Sequence, residues 1–400
     1  MQILFVHPNF PAQLGPIASW LARTGRAECV FVSANARGER DGVRCIQARP
    51  RGGATPATHH CSRTFENAVW SAHAVFEACR ADPRLRPDLI VGHSGFGTTA
   101  MLPELYPAPI VSLLEYYYHP HGADMDFRPE YPPREIDFLR ARMRNAMILL
   151  DLEACAAGYS PTRWQKGLFP EAYRPRIEVI HDGVDMELWR RRPTHRRIGG
   201  EVIPESTRIV TYVSRGLEAM RGFDIFVRVA SRVAASISDV IFVVVGEDRV
   251  FYGGDRRHTG GKSFRAHVLE SERPDLSKFR FLGRVPPEEL ARLFSLSDLH
   301  IYLTVPFVLS WSLLDALACE CTVLASGTPP VLEVVRDGEN GLLAGFHDVE
   351  ALAGRAGEVL RDPAAFARLG RRGRELVAAD HATDVTFPRL WSLFERVAAR

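Results

Sequence analysis

Residues 301–330 predict strand, loop, helix and strand in succession, a pattern that strongly restricts the fold. An apolar strand opens the segment, apolar residues such as Leu313 and Leu317 then recur at helical spacing, and a second β-like run follows at residues 322–325. Two strands joined through a helix pair in parallel, and the ligands of parallel sheets bind at the carboxyl ends of the strands. Asp315, an acid inside this apolar helix, is therefore a candidate binding residue.

The length and composition indicate a globular protein of two domains. Four hundred residues exceed one ordinary core, and 46% hydrophobic with 24% charged residues is a typical globular composition. A formal net charge of +2 requires neither nucleic acid nor a membrane as partner. The first ten residues predict a strand rather than a signal peptide, and no apolar run reaches the length of a membrane helix.

Cysteine usage indicates a reducing compartment. Seven scattered cysteines, an odd number, do not form a disulfide framework, so a cytoplasmic location is expected. The pair Cys319 and Cys321 is interpreted as small buried hydrophobic residues rather than a metal or redox site.

The first half of the chain places titratable residues at the ends of predicted strands. A strand at residues 2–6 precedes a helix that begins near Gly15, where the missing side chain would let a phosphate or sugar approach the backbone. A packing role for this glycine is an equal alternative. Two further strands end at His93 and Glu115, positions typical of an α/β active site, although residues at strand tips can also merely cap a sheet.

Two long segments of the first half are predicted to be loops. Residues 37–58 are rich in arginine, glycine and proline, and residues 119–133 contain five prolines or glycines and are expected to lie over a cleft. A helix is predicted from about 134 to 149. Because binding specificity is commonly carried by loops, residues 37–58 and 116–133 are expected to determine which ligand is chosen.

The second half repeats the strand–helix alternation. A basic run at residues 190–197 lacks apolar periodicity and is interpreted as an exposed linker, with a nucleic-acid patch as the less favoured reading. Strands are then predicted at residues 209–213, 240–245 and 278–283. The chain is therefore expected to form two Rossmann-like α/β domains around one cleft, at residues 1–186 and 187–382.

Common cofactor and metal patterns do not fit. No G-x-G-x-x-G follows the first strand, which argues against a dinucleotide dehydrogenase. Residues 260–263 imitate the end of a P-loop, but Arg256 stands where its first glycine is needed. Asp124 with Asp126, and the histidines at 119 and 121, lack a third ligand, so no metal site is predicted.

Basic residues near strand ends favour a phosphate-binding role. Arg215 follows a strand directly and Arg221 precedes a helix, so two guanidinium groups and a helix N-terminus could hold a diphosphate. Asp315 could accept hydrogen bonds from both hydroxyls of a ribose. The alternatives are arginines that face water and a buried acid satisfied by neighbouring groups.

The order of several motifs resembles that of retaining GT-B glycosyltransferases of family 4. Residues 177–345 carry the resemblance most strongly, and the rest of the chain carries it loosely. The motifs are Val179-Ile-His-Asp-Gly-Val-Asp185, Tyr212-Val-Ser-Arg-Gly216, Val243-Val-Val-Gly246, Phe281-Leu-Gly-Arg284, Ser312-Leu-Leu-Asp-Ala-Leu-Ala318 and Val335-Arg-Asp-Gly-Glu-Asn-Gly-Leu-Leu343.

The resemblance implies a role for individual residues. The family's pair of glutamates falls on Phe307 and Asp315, so only the second position keeps a carboxylate; the run PFVLSWSLL resembles a subset of these enzymes. Glu115 stands where the family often has a histidine. The implied catalytic residues are Glu115, His93, Arg215 and Arg221, and the implied donor-binding residues are Gly15, Arg215, Arg221, Gly246, Phe307, Ser310, Leu313, Asp315 and Thr328.

The resemblance also implies the reaction and the domain roles. A retaining transfer of sugar from a nucleotide-diphosphate sugar to a hydroxyl acceptor is expected, with the donor on the C-terminal domain, the acceptor on the N-terminal domain and no metal or other cofactor. The acceptor can be a glycan, a lipid-linked group or a small molecule, so peripheral membrane contact stays open, as does the oligomeric state. A helix at about 383–400 is expected to return to the N-terminal domain. A sugar-nucleotide epimerase and a non-transferring sugar-nucleotide-binding protein are the alternatives.

Overall fold

The computed structural model describes residues 1–399, which form two compact units. The first unit contains Met1–His121, Arg134–Asp182 and the chain from Thr386 onward. The second contains Gly122–Pro133 and Gly183–Val385. Each unit is an α/β structure built around a mostly or wholly parallel sheet.

The first unit has an eight-stranded sheet in the order β3-β4-β2-β1-β5-β6-β7-β8, parallel except for the pair β3–β4. Its strands are mostly continuous apolar runs because helices cover both faces. The strands are β1 Gln2–Val6, β2 Glu28–Ser33, β3 Gly38–Arg40, β4 Val43–Gln47, β5 Leu89–His93, β6 Ile110–Leu113, β7 Ala157–Ser160 and β8 Ile177–Val179. The first helices are α1 Gly15–Arg23, α2 Arg63–Arg80, α3 Glu135–Ala154 and α4 Arg163–Leu168.

Successive side chains of the first unit's central strands enter two separate cores. Ile3 and Phe5 pack on the side of α1, whereas Leu4 and Val6 pack on the side of α2. This alternation follows from the two-residue period of a strand.

The prediction of a continuous loop at residues 37–58 is wrong. The segment contains β3 and β4, which pair antiparallel, and β4 also pairs in parallel with β2. Val43 and Cys45 are buried at alternate positions, so a short two-residue period was present but was obscured by the surrounding arginines and glycines. The predicted helix at 134–149 is found, and it continues to Ala154.

The second unit has a six-stranded parallel sheet in the order β13-β12-β11-β14-β15-β16 and a separate two-stranded ribbon, β9–β10. The strands are β9 Arg197–Ile198, β10 Glu201–Val202, β11 Arg208–Gly216, β12 Val240–Glu247, β13 Phe279–Gly283, β14 Leu299–Tyr302, β15 Val323–Ser326 and β16 Leu342–Ala344. The helices are α5 Phe223–Ser236, α6 Phe264–Glu272, α7 Pro287–Leu296, α8 Trp311–Ala318, α9 Pro329–Leu332, α10 Val349–Arg361 and α11 Pro363–Leu376.

The βαβ unit predicted at residues 301–330 is confirmed. Strands β14 and β15 pair in parallel, with Ile301 opposite Leu324, and α8 connects them. Leu313, Leu314 and Leu317 of α8 are fully buried in the core of the second unit.

Residues 190–197 belong to the second unit and are anchored to it, so their interpretation as an exposed linker between domains holds for the exposure of alternate residues and not for the linker. The Arg192 backbone N–H donates to Ser295 Oγ at 3.1 Å, and its guanidinium donates to the carbonyl of Glu187 at 2.7 Å. Arg196 donates to the carbonyl of Thr207 at 2.5 Å. Arginine side chains can donate hydrogen bonds to backbone carbonyls while they stay partly exposed. The pattern of charges in a sequence does not distinguish such arginines from arginines that contact only water.

The last helix, α12 Thr383–Ala398, packs against the core of the first unit. Phe394 lies edge-on to Phe5 with ring centroids 6.2 Å apart, and Phe387 lies edge-on to Trp20 at 5.8 Å. The chain therefore ends on the unit in which it began. Within residues 1–399, every helix lacks the length or the apolar character that crossing a bilayer requires.

Candidate functional site

Two arginines of the second unit meet a pair of aromatic rings close to the carboxyl end of β11. Arg215 is exposed near the end of this strand, with its guanidinium 4.2 Å from the ring centroid of Phe251 and Nη1 3.4 Å from the Tyr252 hydroxyl. Arg221 lies 5.6 Å from the Tyr252 ring and 5.8 Å from the Phe307 ring. Three residues predicted from sequence, Arg215, Arg221 and Phe307, are thus brought together around Tyr252.

Arg221 is a buried cation without a carboxylate partner in the described part of the chain. Only 5% of the residue is exposed, and Nη1 donates to Thr304 Oγ1 at 2.7 Å and to the Val308 carbonyl at 3.2 Å. No ion pair among residues 1–399 includes it. A buried charge is costly unless it is paired, so this guanidinium forms a preorganised anion site.

Glu218 holds the loop that carries Tyr252. Its Oε2 atom accepts backbone N–H groups from Phe251 at 2.9 Å, Tyr252 at 3.0 Å and Gly253 at 3.4 Å, and the residue is fully buried. Burial raises the pKa of the Glu218 carboxyl. The sequence analysis missed Glu218 and Tyr252; the aromatic pair followed by two glycines after β12 was the signal available.

Asp315 lines a cavity of about 500 Å³ in the second unit. Trp189, Arg284 and Trp311 also line this cavity, and Trp311 is half exposed. Burial raises the pKa of the Asp315 carboxyl well above its ordinary range. The Asp315 carboxyl, which is costly to ionise, can exchange hydrogen bonds with the hydroxyl groups of a ligand in this cavity. The indole rings of Trp189 and Trp311 can pack against a flat ring of the same ligand.

The remaining predicted donor residues occupy different environments. Ser310 precedes α8, and its backbone N–H donates to the Tyr302 hydroxyl at 2.9 Å. The Leu313 side chain is fully buried in the core, so it offers no side-chain contact to a ligand. Thr328 precedes α9, and its buried Oγ1 has no hydrogen-bond partner within residues 1–399. At Gly246 a Cβ atom would lie 2.5 Å from the Ser214 carbonyl, so only glycine fits there.

In the first unit, His93 and Glu115 lie in contact where strands β5 and β6 end. His93 Nε2 is 3.4 Å from Glu115 Oε2, and Gln13 Nε2 donates to Glu115 Oε1 at 3.2 Å. Burial opposes ionisation of Glu115, but hydrogen bonding to His93 and Gln13 outweighs it and lowers the pKa of the carboxyl. The buried Nδ1 atom of His93 has no partner among the described residues.

His7, which the sequence analysis did not single out, stacks on His93. Their ring centroids are 5.2 Å apart, and burial together with the His93 charge lowers the pKa of His7 to about 3. The His7 imidazole is therefore neutral. The sequence feature that could have indicated His7 is its position directly after β1, the strand that neighbours β5 in the sheet.

Gly15 is the first residue of α1 and is enforced by packing, because a Cβ atom would lie 2.4 Å from the Pro11 Cβ atom. This contact supports the packing alternative and leaves the sugar-binding alternative open. The loop before the helix also contributes Gln13, a residue that sequence patterns did not indicate.

The motifs judged to be chance resemblances have local structural roles. Ser263 caps α6 by accepting the Ala266 N–H at 3.1 Å, so residues 260–263 form a helix start. Asp126 accepts the Gly122 N–H at 3.0 Å, and His119 Nε2 lies 2.8 Å from the Leu168 carbonyl. Within residues 1–399, no group of three or more His, Cys, Asp or Glu side chains has the arrangement of a metal site. All seven cysteines are buried and unpaired by disulfides.

Comparisons with known proteins match both halves of the chain. The family described as Glycosyl transferase family 4 group matches residues 25–189, and the family described as Glycosyl transferases group 1 matches residues 195–376. The D-inositol 3-phosphate glycosyltransferase of Mycobacterium avium is 29% identical over 217 residues, which cover 52% of this chain and 47% of that protein. This chain thus spans about half the length of the curated relatives it matches.

Solved structures match over the whole chain at lower identity. Sucrose-phosphate synthase from Thermosynechococcus elongatus has a TM-score of 0.75 at 20% identity, covering 100% of this chain and 99% of that chain. Anabaena HepE in complex with UDP-glucose has a TM-score of 0.71 at 17% identity, covering 99% of this chain and 100% of that chain. At these identities the likeness is one of fold.

Proposed function

We propose that this chain is a retaining glycosyltransferase that transfers a sugar from a nucleoside-diphosphate sugar to a hydroxyl group, because glycosyltransferase family models match residues 25–189 and 195–376 and the chain has the GT-B fold. UDP-glucose is the first donor to test, since the structurally similar HepE was solved with it. The donor binds the second unit and the acceptor binds the first.

The buried, unpaired guanidinium of Arg221 carries this proposal. A diphosphate would supply the negatively charged partner that the Arg221 guanidinium lacks. Arg215, whose guanidinium also lies beside the Tyr252 ring, would provide a second guanidinium group for the diphosphate. These fixed positive groups would stabilise the charge that develops on the leaving diphosphate, so we also propose that no metal ion is needed. Turnover that persists in EDTA would support this point, and turnover that requires added Mg²⁺ or Mn²⁺ would refute it.

The reaction exchanges one bond at the anomeric carbon of the sugar. The bond from C1 to the β-phosphate oxygen breaks, and its electron pair leaves with the nucleoside diphosphate. The acceptor oxygen forms the new bond to C1 on the same face, and its proton passes to the leaving oxygen or to a base. Glu115, kept ionised by His93 and Gln13, would serve as that base or stabilise the positive charge at C1.

Phe307 stands at the position of the first of the family's two glutamates, and together with Tyr252 it would distinguish this chain from enzymes that have that glutamate. Their ring centroids are 5.3 Å apart beside Arg221, so an aromatic wall replaces a carboxylate. We propose that the chain belongs to a subset marked by PFVLSWSLL, in which apolar contact takes the place of that charged contact with the donor sugar.

Product stereochemistry tests the proposed mechanism. With UDP-glucose, whose glucosyl group has the α configuration, we expect an α-linked product, observed as the coupling constant of the anomeric proton in the first minutes of reaction. A β-linked product would refute retention. Release of UDP only with an acceptor or water supports transfer, a UDP-hexose product without UDP release indicates an epimerase, and binding without either indicates a silent protein.

Replacing Asp315 by leucine should remove the preference of the protein for UDP over 2′-deoxy-UDP. If the carboxyl group bonds to the ribose hydroxyls, the wild-type protein should bind UDP roughly 3- to 10-fold more tightly than 2′-deoxy-UDP, because one hydrogen bond contributes about 0.5–1.5 kcal/mol. Titration calorimetry of both ligands on both proteins measures this ratio. A ratio that stays the same in Asp315→Leu would show that Asp315 does not contact the ribose.

A further inference from the structure

The first unit contains a cluster of three arginines on helices α2 and α3. Arg140 and Arg144 are one turn apart on α3, and Arg63 is the first residue of α2, the helix that packs against α3. Helices that follow parallel strands begin at the carboxyl edge of the sheet, the edge where ligands bind. The cluster also adjoins Tyr118, three residues after Glu115.

Arg144 and Arg63 both repel the Arg140 guanidinium, and the Asp137 carboxylate partly offsets this repulsion. No ion pair among residues 1–399 includes Arg63, Arg140 or Arg144. Burial, followed by the charges of Arg144 and Arg63, lowers the pKa of Arg140. Asp137 itself is engaged by Arg134 at 3.2 Å and by His60 at 3.3 Å.

Hydrogen-bonding capacity in the cluster is unused. The Nε atoms of Arg140 and Arg144 are buried and have no partner within residues 1–399. Arg140 makes one long contact, from Nη2 to Thr64 Oγ1 at 3.4 Å. Partly buried arginines that carry like charges close together and have unused Nε–H donors favour the binding of an anion with several oxygens.

Neighbouring groups hold the cluster in place. The Arg144 guanidinium stacks on the Tyr118 ring at 3.6 Å and donates to its hydroxyl. Tyr118 is fixed in turn by Asn145, which bonds to its backbone N–H at 2.9 Å and to its carbonyl at 2.8 Å. Arg63 is anchored through Nε to the Thr58 carbonyl at 3.0 Å. The positive groups are therefore preorganised before a ligand arrives.

We propose that Arg63, Arg140 and Arg144 bind a phosphate group on the sugar acceptor. This inference rests on the proposed transferase activity and names its acceptor class: a hydroxyl compound that also carries a phosphomonoester or phosphodiester. A soluble sugar phosphate and the headgroup of a phospholipid share this chemistry.

Acceptor discrimination tests the cluster separately from the transferase activity. UDP release from UDP-glucose is measured with glucose 6-phosphate and with glucose, and in parallel with phosphatidylcholine vesicles that contain or lack phosphatidylinositol. We expect one phosphate-bearing acceptor to exceed its matched control in kcat/KM by roughly 10- to 100-fold, since charge-assisted hydrogen bonds are about twice as strong as neutral ones. The arm that responds identifies the source, soluble or lipid.

Substitutions then assign the preference to the arginines. Arg140→Gln and Arg144→Gln should each abolish most of the preference for the phosphate-bearing acceptor, mainly through KM, and Arg140→Lys should restore part of it. Arg142→Gln, which removes an exposed arginine of the same helix, is the matched control and should keep the preference. Melting temperatures of all variants confirm that they fold.

A binding measurement keeps the inference testable if UDP-glucose is not turned over. With saturating UDP occupying the second unit, glucose 6-phosphate should raise the melting temperature of the wild-type protein more than glucose does, and Arg140→Gln should remove the difference. The absence of UDP release with this thermal shift intact would refute the proposed function alone. Equal use of phosphorylated and plain acceptors by an active enzyme, or a preference unchanged in Arg140→Gln and Arg144→Gln, would refute the phosphate site.

Discussion

Replacing Arg221 by glutamine is expected to lower kcat with UDP-glucose by roughly 10²- to 10³-fold, the size of effect found when one preorganised donor to a developing negative charge is removed. Glutamine is shorter and uncharged, so it can bond to Thr304 or to Val308 but cannot neutralise a diphosphate. Steady-state UDP release measures the change. Arg221→Lys should recover part of the activity, because lysine restores the positive charge but cannot donate two parallel hydrogen bonds to a phosphate.

The same substitution should leave stability unchanged or improve it. Arg221 is a buried cation that forms no ion pair in the described chain, and only the more distant Glu218 carboxyl attracts it, so its removal relieves a desolvation cost in the unliganded protein. Arg249, exposed and 4.9 Å from the Phe251 ring, provides the control: Arg249→Gln removes a neighbouring stacked arginine and should keep kcat. Full activity in Arg221→Gln, or a large fall in its melting temperature, would contradict the role assigned to this residue.

The parts of the site that sequence could indicate are those fixed by strand ends. Arg215, His93 and Glu115 each stand at or just after a buried apolar run, and the topology of a parallel sheet brings such positions to one edge. The βαβ unit that carries Asp315 was equally accessible, because its helix and strands have uninterrupted apolar patterns.

The parts that sequence could not indicate depend on contacts between side chains and distant backbone. Glu218 acts by accepting three N–H groups from a loop more than thirty residues later, and Gln13 reaches Glu115 across 102 positions. No periodicity records such contacts. The arginine cluster was hidden for a related reason, since a charge on a helix is usually solvated and only packing shows that the Arg140 Nε atom is buried.

The assignment of residues 122–133 also required the structure. The segment follows a strand of the first unit and was expected to be a loop, yet its contacts place it with the second unit. Arg128 explains this placement. Its Nη2 atom lies 2.6 Å from Asp224 Oδ2 and its Nη1 atom lies 2.6 Å from the Ala219 carbonyl, while Phe346 and Tyr131 face its guanidinium at 5.0 and 5.1 Å.

Replacing Arg128 by methionine is expected to destabilise the second unit by about 3–5 kcal/mol, because buried Asp224 would keep only a long contact of 3.9 Å to Arg228. Both residues are at most 4% exposed; burial opposes the charge on Arg128, but the charges and hydrogen bonds of Asp224 and Glu130 together outweigh it and raise the pKa of Arg128. For a unit of this size the loss corresponds to a fall in melting temperature of roughly 10 °C, measurable by calorimetry. Replacing Asp224 by leucine in addition should recover part of the loss, since no uncompensated charge then remains.

The pair of Arg355 and Asp337 in the same unit has similar hydrogen-bond geometry but is exposed, so it shows how much of the effect of Arg128 is due to burial. Arg355 donates to the two oxygens of Asp337 at 2.6 and 3.0 Å, but both side chains are more than a third exposed. Arg355→Met should therefore cost no more than about 1 kcal/mol, because water screens the pair and solvates the remaining acid. Equal losses in Arg128→Met and Arg355→Met would show that geometry rather than burial determines the contribution, and would remove the explanation given for the placement of residues 122–133.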